Sequence, residues 1–237
     1  MKRLCTICAR GGSKGVKGKN LRQLGNHSLL EISLIQAQKS KLFETITVSS
    51  DDPSILDVAR KAGVDHVIER PLEMAHDSAA KLPAIQHAVQ STEIFYGAKY
   101  DICVDLDVTS PLRLVADIYG AVNLLETTRA SSVITGSLAR RSPYFNLVER
   151  QPDGTVQLCK HLETPIIRRQ DAPPCFDMNA SIYVWKRDAL LNSDQLFQRD
   201  TLLFEMPFER SLDIDTEIDF EIVKWLTEKY GRFQNVW

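Results

Sequence analysis

Short apolar segments alternate with amphipathic segments along the first 140 residues of the chain. The apolar segments are rich in β-branched residues and predict strands at Arg3–Ala9, Thr45–Ser50, Val64–Ile68, Tyr100–Leu106 and Ser132–Gly136. Apolar residues spaced three and four apart predict helices over about 28–40, 52–63, 78–91 and 115–125. Regular alternation of this kind predicts a mostly parallel sheet with helices on both faces.

Two of the predicted helices have clear start signals. Ser28 and Glu31 form the pattern of a capping box, and Asp52 followed by Pro53 suits an N-cap and a first helical turn. Polar loops follow three of the strands at 10–20, 49–53 and 107–113. In parallel sheets ligands bind at the carboxyl ends of the strands, so we expect these loops to converge on one site.

The alternation stops between Ala139 and Pro174. Several prolines interrupt this segment, and Asp153-Gly154 predicts a hairpin between Tyr144–Val148 and Thr155–Leu158. We interpret 139–174 as a β-rich insertion that serves dimerisation or covers a site. The chain then returns to the core pattern with two predicted strands, at Ala180–Trp185 and Thr201–Met206. A closing helix follows, predicted from the spacing of Ile218, Ile222, Trp225 and Leu226. The prediction is one domain over 1–237 that carries this insertion.

Composition narrows the class of protein. The chain has 237 residues, 43% of them hydrophobic, and a net charge of −2, which suits one α/β domain. No broad basic stretch indicates a nucleic-acid partner. We expect a cytoplasmic protein without a membrane segment, because no run of 18 apolar residues occurs and the N-terminal segment is too short and polar for a signal peptide. Cys5 and Cys8 spell C-x-x-C, but no second pair follows, so we interpret them as strand residues with reduced thiols.

A glycine- and lysine-rich loop at 9–20 directly follows the first predicted strand. Glycines let the backbone approach a ligand closely, and the basic side chains favour a polyphosphate. The loop is not a Walker A motif, because Asn20 follows Gly18-Lys19. Gly11–Gly15 matches the nucleophile elbow of hydrolases, but that motif needs a helix directly after the serine, so a serine hydrolase is disfavoured.

Two further groups of charged residues are candidates for chemistry. Asp213 and Asp215 lie two apart, share one face of an extended segment, and suit Mg²⁺. The alternative is helix capping by Asp215 or Thr216, and the two roles are compatible. Arg168–Gln170, in the insertion, is either surface charge or a clamp for an anionic substrate.

Together these segments resemble the acylneuraminate cytidylyltransferases, which include the CMP-sialic acid and CMP-legionaminic acid synthetases. The resemblance spans nearly the whole chain and depends on six ordered motifs: Ala9–Asn20, Ser49–Asp52, Arg70-Pro71 with Asp77-Ser78, Val108–Arg113, Asn179–Tyr183 and Ser211–Asp219. It implies a three-layer α/β sandwich with a mostly parallel twisted sheet, of the nucleotide-diphospho-sugar transferase type. It also implies a homodimer.

The resemblance further implies transfer of CMP from CTP to the anomeric hydroxyl of a nine-carbon 2-keto sugar acid, a nonulosonic acid, with release of pyrophosphate. Mg²⁺, or Mn²⁺ in its place, would be held by Asp213 and Asp215. The implied catalytic residues are Arg10, Lys14, Lys19, Asp213 and Asp215. The implied CTP-binding residues are Ala9, Arg10, Gly12, Ser13, Lys14, Lys19, Asn20, Arg70, Asp77 and Lys81. The implied sugar-binding residues are Asp107, Thr109, Ser110, Arg169, Gln170 and Asn179.

The chain departs from the family pattern in two places. The family's Gln-Pro is Asp107-Val108 here, which puts a carboxylate near an anionic sugar acid. That carboxylate would accept hydrogen bonds from hydroxyls or pair with a basic N-substituent such as an amidino group, and the second option favours a modified nonulosonate over N-acetylneuraminate. The family's Asn-Gly-Ala is Asn179-Ala180-Ser181, a replacement between small residues that we expect to have little effect.

Two other functions remain open from the sequence. One is a CMP-Kdo synthetase or another sugar nucleotidyltransferase with a different sugar pocket. The other is a nucleotide-binding module without turnover. Lys19, Asp213 and Asp215 argue against the module, because a protein that only binds nucleotide has no need of a metal pair.

Overall fold

The computed structural model describes residues 1–12, 15–75, 80–164 and 166–230. Ser13, Lys14 and Asp77, which the sequence assigned to CTP binding, lie outside the described residues.

The described residues contain eleven strands and six α-helices. The strands are β1 (Arg3–Cys8), β2 (Gln23–Leu24), β3 (His27–Ser28), β4 (Thr45–Ser50), β5 (His66–Glu69), β6 (Ile102–Leu106), β7 (Ser132–Leu138), β8 (Val148–Arg150), β9 (Val156–Leu158), β10 (Phe176–Lys186) and β11 (Leu202–Glu205). The helices are α1 (Leu29–Ser40), α2 (Pro53–Lys61), α3 (Lys81–Tyr96), α4 (Val115–Thr127), α5 (Arg187–Leu191) and α6 (Glu217–Tyr230).

Seven of the described strands form one sheet in the order β11-β7-β10-β6-β1-β4-β5. Only β10 runs antiparallel to its neighbours in this sheet, β6 and β7, and the other pairs are parallel. The prediction of a mostly parallel α/β fold is therefore confirmed. β1 lies between β4 and β6, so the loop that follows β1 is central at the carboxyl edge of the sheet.

Alternating side chains of the strands supply two hydrophobic layers, one on each face of the sheet. Cys5 and Ile7 of β1 pack with residues of α1, α2, α4 and α6, whereas Leu4 packs with residues of α3 and α5. Cys5 belongs to the layer that contains Ile7, and Cys8 contacts the layer that contains Leu4, as expected for strand residues three apart. All five cysteines lie among the described residues and are free thiols. None of the helices in the described ranges is both long and apolar enough to span a bilayer.

The predicted helix caps are confirmed. Ser28 Oγ accepts a hydrogen bond from the Glu31 amide at 3.3 Å, and Glu31 Oε2 accepts one from the Ser28 amide at 2.7 Å. Asp52 Oδ1 accepts a hydrogen bond from the Ser54 amide at 2.8 Å, at the start of α2. These local hydrogen bonds fix the two elements that flank β4.

Helix α3 continues to Tyr96, beyond the predicted end at Ser91. Thr92 Oγ1 donates to the Ala88 carbonyl at 2.7 Å inside the helix, so the hydroxyl does not compete for a cap and the helix continues. The helix ends where Gly97 adopts a left-handed conformation with φ 57°.

The insertion contains the predicted hairpin in a shorter form. β8 and β9 have three residues each, and residues 144–147 are not a strand, because the Ser142 carbonyl accepts the amides of Phe145, Asn146 and Leu147 in a compact turn. β10 begins at Phe176, ahead of the predicted Ala180, because its first residues pair with the end of β7. The proposed role of the insertion in dimerisation stays a prediction.

The closing helix is confirmed, but its apolar residues divide differently. Phe220 and Val223 are the buried residues that join the core, whereas Ile218, Ile222 and Trp225 are exposed. Thr216 and Asp219 exchange hydrogen bonds at the start of α6, with the Thr216 amide 2.7 Å from Asp219 Oδ2 and the Asp219 amide 3.3 Å from Thr216 Oγ1. This reciprocal cap sets the rotation of the helix, and it confirms Thr216 as one of the two capping residues that the sequence predicted.

Ala180 lies in an irregularity of β10, where the register with β7 shifts between Met178 and Tyr183. Its φ is 51°, in the left-handed region that disfavours a side chain. The expectation that Ala and Gly are equivalent here is therefore wrong. Relief of this strain should exceed the entropic cost of glycine, so Ala180→Gly is expected to raise the free energy of unfolding by about 0.5–1 kcal/mol in urea titrations.

Ala130→Gly is the control for that change, because Ala130 is a buried alanine with no positive φ. It should lower the free energy of unfolding by about 0.5–1 kcal/mol. Destabilisation by Ala180→Gly would show that residue 180 is not strained.

Candidate active site

A cavity of about 430 Å³ opens at the carboxyl edge of the sheet. Ten residues assigned from the sequence line it: Ala9, Arg10, Lys19, Asn20, Arg70, Lys81, Asp107, Thr109, Asp213 and Asp215. Six further residues of the described ranges also line it: Cys8, Gly15, Met74, Ala80, Ala84 and Ala180. Two of the three loops predicted to converge, 10–20 and 107–113, therefore line one cleft, whereas no residue of 49–53 lines it.

The N-terminal loop is held against β4 by hydrogen bonds to its backbone. The Ala9 amide donates to the Ser49 carbonyl at 3.0 Å, and the Gly11 amide donates to Asp51 Oδ1 at 3.1 Å. Asn20 is buried, and its Nδ2 donates to the Arg10 carbonyl at 2.8 Å, which clamps the two ends of the loop together. Part of the hydrogen-bonding capacity of Asn20 therefore serves the loop itself.

Arg70 lies beside that loop and is almost completely buried. Its Nη2 donates to the Ser49 carbonyl at 2.7 Å and its Nε donates to Ser49 Oγ at 3.2 Å. These bonds fix the guanidinium at the end of β4, on the wall of the cavity. A buried, oriented cation there favours an anionic or strongly polar ligand.

The C-terminal acidic loop meets the basic loop directly. The Ile214 amide donates to the Thr109 carbonyl at 2.9 Å, which ties the acidic loop to the end of β6. Lys19 Nζ lies 3.0 Å from Asp215 Oδ1 and also donates to the Ile214 carbonyl. A Cβ added to Gly15 would lie 2.0 Å from the Asp215 carbonyl oxygen, so only glycine fits between the two loops.

Asp213 lines this cleft and its side chain is exposed at the opening. Partial burial in the cleft raises the pKa of its carboxyl, and the neighbouring carboxylates, above all Asp215, raise it further. Among the described residues no cation forms an ion pair with Asp213. An uncompensated carboxylate beside a second one has the charge and hard oxygen ligands that a divalent cation requires.

A buried ion-pair cluster forms the floor of the cavity below β6. Lys81 Nζ lies 3.0 Å from Asp105 Oδ2 and 2.6 Å from Asp107 Oδ2. Asp105 is fully buried, and its Oδ1 accepts from Thr6 Oγ1 at 2.8 Å. The sequence predicts Asp105 as a strand residue, and the signal for this cluster is a charged residue inside an otherwise apolar run.

Lys81 changes the ionisation of Asp107. Burial alone would raise the pKa of this carboxyl, but the Lys81 ammonium and two hydrogen bonds from Thr109 lower it to about 2. Burial opposes the charge of Lys81, whereas Asp105 and Asp107 raise its pKa more strongly. Lys81 and Asp107 are therefore both charged at physiological pH.

Arg113 is a fully buried arginine behind this floor, and no role for it was predicted from the sequence. Its guanidinium donates to the carbonyls of Asp107 and Ser110, the latter at 3.1 Å, and to Ser33 Oγ at 2.7 Å. Burial lowers the pKa of Arg113 to about 10, because its hydrogen-bond acceptors are neutral, although Asp107 and Asp105 oppose that shift. Arg113 thus fixes the turn that carries Asp107.

The structure does not bring every predicted sugar contact to the cavity. Asn179 Oδ1 accepts from Thr135 Oγ1 at 2.7 Å and its Nδ2 donates to Ser211 Oγ at 3.0 Å, so its side chain stabilises the protein interior. Ser110 is fully buried. Arg169 and Gln170 line a separate cavity in the insertion, where Arg169 donates to the Ala139 carbonyl at 3.1 Å. Gly12 is outside the cavity lining.

The depressed pKa of Asp107 gives a prediction for acid stability. A carboxyl whose pKa is lower in the folded state stabilises the fold above its ordinary pKa, and that stabilisation disappears as the pH falls toward 2. The difference in free energy of unfolding between the wild type and Asp107→Asn should therefore shrink by about 2 kcal/mol between pH 5 and pH 2. Urea titrations across this range measure it. A difference that does not change with pH would contradict the ion pair.

The chain is similar in sequence to a protein family and to curated proteins, and similar in fold to solved structures. A family model described as Cytidylyltransferase matches residues 4–234. The chain is 43% identical to post-translational flagellin modification protein B of Campylobacter coli over 95% of both chains. It is 45% identical to the CMP-N,N'-diacetyllegionaminic acid synthase of Campylobacter jejuni over 94% of both chains. In fold it is similar to a CMP-2-keto-3-deoxy-manno-octonic acid synthetase solved with CTP, with a TM-score of 0.68, 16% identity, and coverage of 97% of this chain and 100% of that one.

Proposed function

This chain belongs to the cytidylyltransferase family, and from that premise we propose that it transfers CMP from CTP to the anomeric hydroxyl of a nonulosonic acid and releases pyrophosphate. The observation that carries the proposal is the single cleft in which the basic loop and the acidic loop meet, through Lys19 and Asp215. In such a cleft the basic loop would bind the triphosphate, and a divalent metal held by the acidic loop would neutralise part of the phosphate charge.

The names of the relatives support a legionaminate-type acceptor. The relative with 45% identity is named for N,N'-diacetyllegionaminic acid. A pseudaminic acid cytidylyltransferase of Campylobacter jejuni and an N-acylneuraminate cytidylyltransferase of Escherichia coli are each 28% identical. We therefore propose a nine-carbon sugar acid as acceptor, which argues against the CMP-Kdo alternative.

The sheet order divides the cleft between the two substrates. Arg10, Lys19, Asn20 and Arg70 follow or flank β1 and β4, so we assign this side to CTP. Residues at the ends of β6 and within β10 line the opposite side, which we assign to the sugar acid. The α-phosphate would then lie over the loop after β1, between the two groups.

The reaction that fits is an in-line displacement. The anomeric oxygen forms a bond to the α-phosphorus, the bond from that phosphorus to the bridging oxygen breaks, and pyrophosphate leaves with the electron pair while the hydroxyl proton is released. Arg10 and Lys19 would neutralise phosphate charge and hold the reacting atoms in line. The described residues contain no cluster of three or more acidic, His or Cys ligands, so phosphate oxygens would complete the coordination of a Mg²⁺ held by Asp213 and Asp215. When bound, such a metal neutralises phosphate charge and assists ionisation of the hydroxyl.

Pyrophosphate release tests this function. The purified protein is incubated with CTP and, separately, with N,N'-diacetyllegionaminic, N-acetylneuraminic, pseudaminic and 2-keto-3-deoxy-manno-octonic acids, and the CMP-sugar is identified by mass. We expect release that requires CTP, a nonulosonic acid and Mg²⁺ or Mn²⁺, and that chelation abolishes. Release without an acceptor, or none with any of the four acids, would overturn the proposal.

We also propose that the insertion forms a homodimer interface with a second copy of the chain. Val148, Val156 and Ile167 are exposed apolar side chains of this segment, and Val148 and Val156 share one face of the β8–β9 hairpin. Placing a carboxylate in an apolar interface is costly, so Val156→Glu is expected to weaken self-association at least about tenfold in sedimentation equilibrium. Gln157→Glu, on the opposite face, is the matched control, and equal effects of both variants would exclude this face.

A further inference from the structure

Lys81 faces the acceptor side of the cleft. It is the first residue of α3, and its ammonium lies 3.0 Å from Asp105 Oδ2, 2.6 Å from Asp107 Oδ2 and 4.9 Å from the centroid of the Tyr183 ring. These three partners belong to β6, the turn after it, and β10. Lys81 donates a hydrogen bond to Asp107 Oδ2, whereas Asp105 Oδ2 lies within ion-pair distance without a hydrogen bond. The two carboxylates and the ring therefore hold the ammonium at the acceptor side of the cleft.

Asp107 keeps one acceptor direction for a substrate. Its Oδ1 accepts both the amide and the hydroxyl of Thr109 at 2.9 Å, and its Oδ2 accepts from Lys81. A carboxylate has about four lone-pair sites, so one site on Oδ2 remains at the cavity wall. A hydroxyl or an amide N–H is the group that such a site accepts.

The charges of the cluster balance. Lys81 and Arg113 together compensate Asp105 and Asp107; Asp105 and Arg113 are fully buried, whereas Lys81 and Asp107 are partly buried at the cavity wall. A cationic substituent on the substrate would meet a carboxylate that is already neutralised, and would have to give up its hydration without gaining a counter-ion. The sequence-based idea that Asp107 pairs with a basic N-substituent is thus not favoured by the geometry.

From this juxtaposition we infer that Lys81 is a specificity-determining residue, which makes Asp107 an acceptor for a neutral hydroxyl or N-acyl group of the sugar acid and discriminates against a cationic substituent at the same place. The inference rests on the proposed function and names the substrate class of its acceptor side. Under this inference Lys81 acts on the sugar acid and is not one of the CTP-binding residues.

Charge-altering variants test the inference through a ratio of specificities. The ratio compares kcat/KM for N,N'-diacetyllegionaminic acid with kcat/KM for the analogue in which an amidino group replaces one N-acyl group. The wild type should favour the diacyl acid at least about tenfold. Lys81→Met exposes the charge of Asp107 and should lower the ratio about tenfold, whereas Asp107→Asn leaves Lys81 paired with Asp105 and should raise it.

The double variant Lys81→Met/Asp107→Asn has the original net charge and should restore the wild-type ratio to within about threefold. The KM for CTP should stay within about threefold of the wild type in each variant. Lys39→Met, at an exposed site on α1, controls for loss of a lysine elsewhere.

Three results would overturn the inference while leaving the proposed function intact. In the first, both single variants shift the specificity ratio in the same direction. In the second, Asp107→Asn leaves the ratio unchanged. In the third, Lys81→Met raises the KM for CTP more than it raises the KM for the sugar acid. If Lys81→Met does not fold, the ratio of Asp107→Asn decides, because that variant leaves no buried carboxylate without a partner. Absence of turnover by the wild type with every acid would instead contradict the proposed function.

Discussion

Replacing Asp213 by alanine is expected to reduce kcat for pyrophosphate release by about a thousandfold or more at saturating CTP. Asp213 is the carboxylate of the acidic loop that has no compensating cation among the described residues, so its charge is available to a metal. Its removal should leave CTP phosphates in the cleft without a counter-charge at the reacting centre. Steady-state kinetics with a continuous pyrophosphate assay measure the loss.

Loss of the Asp213 charge should raise stability, although it lowers activity. The pKa of Asp213 is raised in the folded protein, so ionisation at neutral pH works against folding, and Asp213→Asn should raise the free energy of unfolding of the ligand-free protein. Glu221→Gln, at an exposed carboxylate on α6, should change neither quantity. Turnover of Asp213→Ala at the wild-type rate would remove the metal assignment.

Gly15→Ala is expected to lower kcat/KM by about a hundredfold, because displacement of a site by about 1 Å has an effect of that size. The added Cβ would lie 2.0 Å from the carbonyl oxygen of Asp215, which is backbone and cannot rotate away. The basic and acidic loops must therefore separate, and the contact between Lys19 and Asp215 is lost with them. Activity assays and thermal unfolding together measure the effect.

Gly12→Ala is the matched control for stability, since it adds the same methyl group in the same loop, where no described atom beyond the chain neighbours lies within 4 Å of the added carbon. It should leave the unfolding temperature unchanged, whereas Gly15→Ala should lower it. If the two variants unfold at the same temperature, the loops are not packed as described.

The sequence predicted the parts of the fold that local chemistry determines. The caps at Ser28 and Asp52 depend on residues two or three positions away, and β1 and β4 follow from short runs rich in apolar or β-branched residues. The meeting of the 9–20 loop with Asp213 and Asp215 was also predictable, because loops after parallel strands share one edge of the sheet.

What the sequence missed depends on contacts between distant residues. The ion pairs of Lys81 with Asp105 and Asp107 were not predicted, because nothing local indicates that these residues lie within reach of each other. The left-handed backbone of Ala180 arises from the register shift between β10 and β7, which a single strand does not show. Arg113 was passed over because its partners are mainly backbone carbonyls, which have no signature in a sequence.

The contact between Lys19 and Asp215 joins residues that are 196 positions apart. During translation β1 and its basic loop therefore leave the ribosome long before the aspartates that complete the site. A nascent chain with most of the sheet assembled would still be unable to consume CTP. Catalytic competence then arises in one late step, so recovery of activity during refolding should coincide with docking of α6 and should lag behind formation of the sheet.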